Sequence, residues 1–413
     1  MIKAQTPKGF RDFLPSEALK RKYVQGIIET TFASYGFDPL ETPALEYAET
    51  LTGKYGAEAD KLLYLFKDNG GRDVGLRYDQ TVPLSRVVAQ YDQALVFPFK
   101  RYQIQPVWRA ENTQKGRYRE FLQCDIDTIG SDSYLADAEI IACTIDGLKK
   151  IGFKRPQILI NDRSIFDSLG MSKKEIIIID KLDKIGEAAV IKELEKSGRK
   201  TAKELFDSIR SAVKTDRLQE IFEALEMSGF IGDLDFRFEP FLARGLDYYT
   251  STIFEAKVLD LTTPLSVAGG GRYDTLIGTF SGRDVSAVGI AFGFDRIIEI
   301  ATELSLLPSF KTGTTMLICT IGQDNLNLSL ALANNLRKNG QINTEVYSDP
   351  TAKLDKQLKY ANKKGVPFVA ILGEDEVKTQ SITLRNMIDG QQTSLKINEL
   401  KDIVDYVKEP PLL

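Results

Sequence analysis

Residues Val107 to Asp127 place an arginine, a basic loop and a row of polar groups within one expected hairpin. The first strand ends at Arg109, and the loop carries Lys115, Arg117 and Arg119 around Gly116. The return strand alternates Phe121, Gln123, Asp125 and Asp127 against Leu122, Cys124 and Ile126. Strand side chains repeat every second residue, so one face presents an aromatic ring, an amide and carboxylates together. An arginine fork facing that surface suits a bound anion, most simply a phosphate. A charged hairpin with a solvated loop gives the same pattern, and this stretch alone leaves both readings open.

Four further segments carry potential chemistry. Arg244-Gly245-Leu246-Asp247-Tyr248-Tyr249 gathers a cation, a carboxylate and two phenols before the strand around Ile253. A paired Arg–Asp at a strand entry is the plainer expectation there. Gly269-Gly270-Gly271-Arg272-Tyr273 permits close approach of backbone to a ligand, although a tight turn is the simpler expectation. It matches neither the phosphate-loop nor the dinucleotide fingerprint. Ala287 to Ile297 is an apolar strand, a glycine and then Arg296 in a first helical turn. That arginine can meet a phosphate or stack on a planar base, or lie at the surface. Arg77-Tyr78-Asp79-Gln80-Thr81 sets a carboxylate, an amide and a hydroxyl after a strand, with helix capping by Asp79 or Thr81 as the competing role.

Composition limits how these groups can work. The chain has 413 residues, a formal net charge of −4 and no histidine. The commonest general base, the histidine-containing triads and the usual transition-metal ligands are therefore excluded. Chemistry must run on Arg, Lys, Asp, Glu, Tyr and bound ions. Nucleic-acid contact, if any, must come from local basic patches. Cys124, Cys143 and Cys319 are isolated, which argues against a disulfide framework or a cysteine-built zinc site. The N-terminus has no apolar signal core and no apolar run is long enough to span a membrane, so a cytoplasmic location is expected.

The elements that must position these groups follow from periodicity. Ser16 to Tyr35 reads as an amphipathic helix, with Leu19, Tyr23, Ile27, Ile28 and Phe32 at helical spacing. Leu62 to Phe66 and Val74 to Arg77 read as a hairpin across Asp68-Asn69-Gly70-Gly71. Helices are expected near Val82 to Ala89 and Leu135 to Ile151. Residues 162–232 are Lys/Glu-rich and helically periodic, and interrupt a larger, mostly antiparallel α/β unit. After Thr312-Gly313, strands and helices alternate, which implies a small domain with a mainly parallel sheet.

The order and spacing of these segments resemble the class II aminoacyl-tRNA synthetases, and among them the histidyl-tRNA synthetase family. The likeness covers nearly the whole chain. Pro43 matches the first class-defining motif near the dimer interface, Arg109 to Asp127 the second, and Gly293 to Arg296 the third. Arg244 to Tyr249 resembles the family's histidine-specific signature. The implied fold is α/β: an α+β catalytic domain (1–161 and 233–311) with an antiparallel sheet flanked by helices, a helical insertion (162–232), and a C-terminal α/β anticodon-binding domain (314–413).

The resemblance also implies roles. Arg109 would grip the α-phosphate of ATP, and Arg244 would stabilise charge there as the adenylate forms. Phe121 and Arg296 would sandwich adenine, and Glu111 would complete the ATP site. Asp79, Gln80, Thr81 and Gln123 would hold the amino acid. Asp127, with Tyr248, Tyr249 and Tyr273, would read the imidazole of L-histidine. Lys115, Arg117 and Arg119 would approach the acceptor end of tRNA(His). Mg²⁺ and a homodimer are implied, with no metal ligand assigned to a side chain. This sequence departs from many bacterial members in having Asp79 for Glu, and Asn112 for a basic residue.

The absence of histidine rules out the HIGH motif of class I synthetases. Met171-Ser172-Lys173-Lys174 reads as a helix start rather than their lysine-rich loop. Two rivals stand beside this expectation. A regulatory subunit of ATP phosphoribosyltransferase resembles the core but usually loses parts of the signature and the anticodon-binding domain. A sensor domain that binds uncharged tRNA would accompany kinase motifs, which this chain does not have.

Overall fold

A computed structural model of the chain describes residues 2–52, 62–113, 116–244 and 248–408. Two compact units are present, one of Met1–Asp12 and Tyr23–Leu307, the other of Phe13–Lys22 and Pro308–Leu413.

The first unit is built on an eight-stranded sheet. Its strands are β1 (Asp38–Pro39), β5 (Phe99–Trp108), β6 (Glu120–Ile129), β7 (Pro156–Asp162), β8 (Phe236–Phe238), β9 (Thr252–Val258), β10 (Leu265–Arg272) and β11 (Ala287–Gly293). Between β1 and β5 in the chain, β2 (Leu45–Tyr47), β3 (Tyr64–Lys67) and β4 (Asp73–Leu76) form a separate three-stranded antiparallel sheet. The large sheet runs in the order β1-β5-β6-β11-β10-β9-β7-β8. Only the two edge pairings, β1 with β5 and β7 with β8, are parallel, as the expected mostly antiparallel unit requires.

The central strands are long because their sequences alternate cleanly. Opposite the polar face of β6, Cys124 and Ile126 join Val288, Ile290 and Phe292 in one apolar core. Helices Pro15–Ser34, Tyr134–Ile151 and Phe294–Glu303 cover that core, burying Ile28, Phe32, Ile141, Ile145, Ile297 and Ile300. Each such side chain contributes about 1.5–3 kcal/mol by leaving water. Ser133 caps the Tyr134–Ile151 helix by accepting the Leu135 amide, and Gly152 ends it in a left-handed conformation.

The three glycines 269–271 depart from the expected turn. They continue β10, paired with β9 on one side and β11 on the other. The reason is crowding: a Cβ on Gly270 would stand 2.1 Å from the Gly289 carbonyl oxygen. Glycine is needed there for close approach, not for reversal of the chain.

The Lys/Glu-rich region is helical, but its helices pack in two places. Phe166, Ile179, Val190, Leu194, Leu205, Phe206 and Ile209 form a second core with Leu242, Ala243, Tyr249 and Ile253. The helix Asp216–Met227 instead sends Leu218, Ile221 and Leu225 into the main core. Within residues 162–232, the segment up to Ile209 and the helix Asp216–Met227 thus pack against different cores.

The second unit holds β12 (Met316–Thr320), β13 (Thr344–Val346), β14 (Phe368–Leu372), β15 (Ser381–Asn386) and β16 (Gln392–Lys396), ordered β13-β12-β14-β15-β16. The first three are parallel and the last two pairings antiparallel. A parallel crossover needs roughly a dozen residues. Helices Leu326–Lys338 and Leu354–Lys364 supply two crossovers. The stretch between Leu372 and Ser381 is too short for a third, so the sheet is mixed rather than mainly parallel.

Candidate active site

The polar face of β6 opens onto a cleft. At its wider end Arg109, Glu111, Arg117, Tyr118, Phe121, Gln123, Arg244, Asp295 and Arg296 line a cavity of about 410 Å³. At its narrow end Thr81, Asp125, Asp127, Tyr248, Tyr249 and Tyr273 surround about 20 Å³, room for roughly one water molecule. Gly269 and Ala291 belong to both walls, so the two spaces adjoin. Four expected residues, Phe121, Gln123, Asp125 and Asp127, thus follow one another along the cleft from its wide end to its narrow end.

The narrow end is built from buried charge. Arg101 on β5 lies directly opposite Asp127 on β6. Its guanidinium meets Asp127 at 2.6 Å, with both side chains almost wholly enclosed. Tyr273 donates a hydrogen bond to the other Asp127 oxygen. Burial raises the Asp127 pKa, opposed by the Arg101 charge and the Tyr273 hydroxyl. Asp125 is raised well above the carboxylate range, first by burial, then by Asp127 and Asp79, against Arg101. The Tyr248 and Tyr249 rings are tilted against each other with centroids 4.5 Å apart, and Tyr248 meets Tyr273 edge-on at 5.9 Å. Gly289 makes room for this arrangement, since a Cβ there would fall 1.9 Å from Asp127 Oδ1.

Asp79 is buried, and its carboxylate accepts the Val82 amide at 3.2 Å, so the capping role is present. Burial pushes its pKa up to about 6, with the Val82 amide and the charges of Arg109 and Arg101 opposing. Gln80 is buried and donates to the carbonyls of Gln105 and Gln123 at 2.8 and 3.1 Å. It ties β5 to β6 and lies outside both cavity walls. Two buried acceptors, Gln123 Oε1 and Asp125 Oδ1, have no hydrogen-bond partner among the described residues. Such groups ordinarily find a partner in a ligand or in water.

At the wider end, arginines are held from several directions. Arg109 Nε donates to the Tyr78 carbonyl at 3.0 Å, and its guanidinium carbon lies 5.1 Å from the Phe121 ring centre. Arg296 Nη1 donates to the Ser266 carbonyl at 2.8 Å. Arg244 Nη1 lies 3.3 Å from Glu255 Oε2. The Arg244 guanidinium lies against Gly269, where a Cβ would come within 2.3 Å of Nη1. Burial works against the Arg244 charge, while Tyr249, Glu255, Tyr248 and Asp180 raise its pKa above the usual value.

The loop residues separate. Arg117 is half exposed and 3.6 Å from Glu111. Arg119 turns inward, its Nε donating to the Glu111 carbonyl at 3.1 Å. Lys115 lies outside the described residues, as do Gly245, Leu246 and Asp247. Among the described residues no group of three or more acidic or sulfur side chains is placed to hold a metal ion.

Sequence reasoning had no role for Arg101, Glu255 or Asp295, and noted Asp125 without assigning one. The Arg101 signal was an arginine inside a strand, but only the β5–β6 register shows that it faces Asp127. Asp295 was visible one residue before Arg296.

Comparison with known proteins gives the same outline. Residues 9–297 match the family model described as histidyl-tRNA synthetase, and residues 315–406 match the anticodon binding domain. The histidine–tRNA ligase of Cytophaga hutchinsonii is 40% identical over 452 residues, covering 97% of this chain and 99% of that protein. That of Wolinella succinogenes is 41% identical over 428 residues, covering 95% and 96%. The crystal structure of histidyl-tRNA synthetase from Nostoc sp. PCC 7120 superposes with a TM-score of 0.86 at 30% identity, covering 99% of each chain.

Proposed function

The chain belongs to the histidyl-tRNA synthetase family of class II aminoacyl-tRNA synthetases, and from that premise we propose how its residues divide the reaction. The activity of the family joins histidine to tRNA(His) using ATP. The observation that carries the assignment is one cleft with two unlike ends: a buried Asp127 bracketed by Arg101 and Tyr273, and a cavity reached by Arg109, Arg244 and Arg296.

Histidine enters with its imidazole toward Asp127, Tyr249 and Tyr273. An imidazole needs more space than the narrow end holds, so the lining tyrosines shift as it enters. Asp79, Thr81 and Gln123 take the ammonium, and Asp125 adds an acceptor beside them. ATP lies in the wider end, its base between Phe121 and Arg296. The histidine carboxylate attacks the α-phosphate, the bond to the β-phosphate oxygen breaks, and pyrophosphate leaves. Arg109, just past the end of β5, and Arg244, in the segment between β8 and β9, approach that phosphate and neutralise the charge that builds on it. The adenylate then loses AMP as the terminal hydroxyl of the tRNA attacks its carbonyl. No side-chain imidazole takes part, since the chain has none.

Mg²⁺ takes one or two carboxylates beside substrate phosphates and keeps several waters. Glu111, partly exposed on the cavity wall and only loosely paired at 3.6 Å, fits that demand. When bound, the ion would supply further charge neutralisation at the phosphates. Arg117, with Lys115, would meet the acceptor end of the tRNA, whereas Arg119 braces the loop.

A homodimer is part of the same proposal. Leu45, Tyr47, Leu65, Phe66 and Tyr91 are exposed apolar side chains on and beside the three-stranded sheet. Leu45, Tyr47 and Tyr91 border a groove of about 750 Å³ that Pro43 also lines, and exposed clusters of this kind mark association surfaces. The three cysteines are buried and in no disulfide among the described residues, which suits the cytoplasm. Charging of a tRNA(His) transcript with labelled histidine, at a concentration where light scattering reports the mass, tests both parts. Charging by a dimer supports them, and an inactive or monomeric protein contradicts the corresponding part.

A further inference from the structure

We propose that Arg11 is a positioning residue for the nucleotide end of the cleft, acting through Tyr118 and Asp295; this rests on the ATP-site reading above. Arg11 is outside the cavity wall, but Tyr118 and Asp295, which it engages, are in it. Its guanidinium carbon lies 3.1 Å from the centre of the Tyr118 ring. Its Nη2 meets Asp295 Oδ1 at 2.7 Å, with Asp295 almost fully buried.

Both targets are themselves anchored. The other Asp295 oxygen accepts the Leu122 amide at 3.2 Å, at the start of the strand that carries Phe121 and Gln123. The Tyr118 hydroxyl donates to Glu299 at 2.8 Å. Asp295 and Glu299 are one turn apart on the helix that also carries Arg296. Close by in the chain, the Gly9 carbonyl accepts the Arg119 amide at 3.0 Å. The segment Gly9–Arg11 therefore ties together the hairpin loop, the first turn of the Phe294–Glu303 helix and the start of β6.

A planar guanidinium can stack on a ring and bind a carboxylate at once, which a lysine ammonium cannot match. Without Arg11, Asp295 loses a charge partner in a buried place and the Tyr118 ring loses its cover. The loop wall and Arg296 then shift relative to β6. Catalysis by positioning is steep in distance, and the Asp127 end, farther along β6 and held across the sheet by Arg101 of β5, is spared.

The test is ATP–pyrophosphate exchange, varying ATP at saturating histidine and then the reverse, with wild type, Arg11→Ala and Arg11→Lys. Arg11→Ala should raise KM for ATP on the order of tenfold or more, with KM for histidine little changed. Arg11→Lys should fall between it and wild type. Calorimetric titration with ATP, and separately with histidine, reads the same split without turnover. An unchanged ATP affinity in both variants, or an equal loss for ATP and histidine, would overturn the role of Arg11. Should the alanine variant not fold, the lysine variant decides alone by the same criterion. Absence of histidine-dependent exchange in wild type would count against the functional reading instead, and the titration would still judge Arg11.

Discussion

The two ends of the cleft are built in opposite ways. The narrow end sits on paired central strands, with Asp127 held between Arg101 and Tyr273 and shielded from solvent. The wide end is assembled from a strand terminus, a loop and a helix start, and its arginines are braced largely by backbone carbonyls. A fixed buried carboxylate suits recognition of one side chain, because a wrong occupant leaves its partners unpaired. Cations on less enclosed elements suit a substrate that must enter, react and leave as pyrophosphate and AMP.

Damage should therefore differ in kind between the ends. The largest expected effect is that of Asp127→Ala, which removes the imidazole acceptor and leaves Arg101 buried without its partner. Breaking such a pair costs about 3–5 kcal/mol of stability. Histidine-dependent exchange should fall by roughly 10³-fold or more, with ATP binding by the folded fraction retained. Equal losses for both ligands would erase the distinction between the ends.

Arg244→Ala comes next. Removing one donor that stabilises developing charge costs on the order of 10²–10³ in rate. Rapid-quench measurement of adenylate formation should show this loss while ATP affinity changes far less. Similar losses in both would make Arg244 a structural pair for Glu255.

A smaller effect concerns pH. The Asp79 carboxyl titrates at about 6 because it is buried. A raised carboxyl pKa means that the folded chain favours the protonated form. Its stabilising contribution is full below the ordinary carboxylate range and is lost as pH rises through 6. Asp79→Asn should remove that dependence, so its melting temperature should improve relative to wild type between pH 5 and 7. Parallel curves for the two proteins would show that Asp79 does not titrate there.

The smallest effect on activation belongs to Arg117→Ala, half exposed and loosely paired. Stability should change by less than about 0.5 kcal/mol and amino-acid activation should be unaffected. Charging of tRNA should weaken and become less sensitive to salt. A loss of activation equal to the loss of charging would move Arg117 into the ATP site.

The two ends were also unequally legible in the sequence. Phe121, Gln123, Asp125 and Asp127 alternate along one strand, so period two alone puts them on one face. Arg101 could not be matched to Asp127 because strand register is set by pairing across the sheet, which one sequence does not reveal. The three glycines at 269 carry the composition of a turn, and only the Gly289 carbonyl and the Arg244 guanidinium packed against them explain a strand. Arg119 matched Arg117 in type and spacing, yet it points into the loop because the Glu111 carbonyl accepts its Nε and Gly9 leaves room for its side chain. Arg11 gave no periodic signal, since its partners lie more than a hundred residues away.

ATP–pyrophosphate exchange by the purified protein, with each of the twenty amino acids offered separately, tests the division of the cleft most directly. Exchange with histidine alone is the expected result, since the buried Asp127 carboxylate, bracketed by Arg101 and Tyr273, offers an acceptor for an imidazole N–H. Exchange driven equally by another amino acid would contradict the assignment of the narrow end, and with it the central claim.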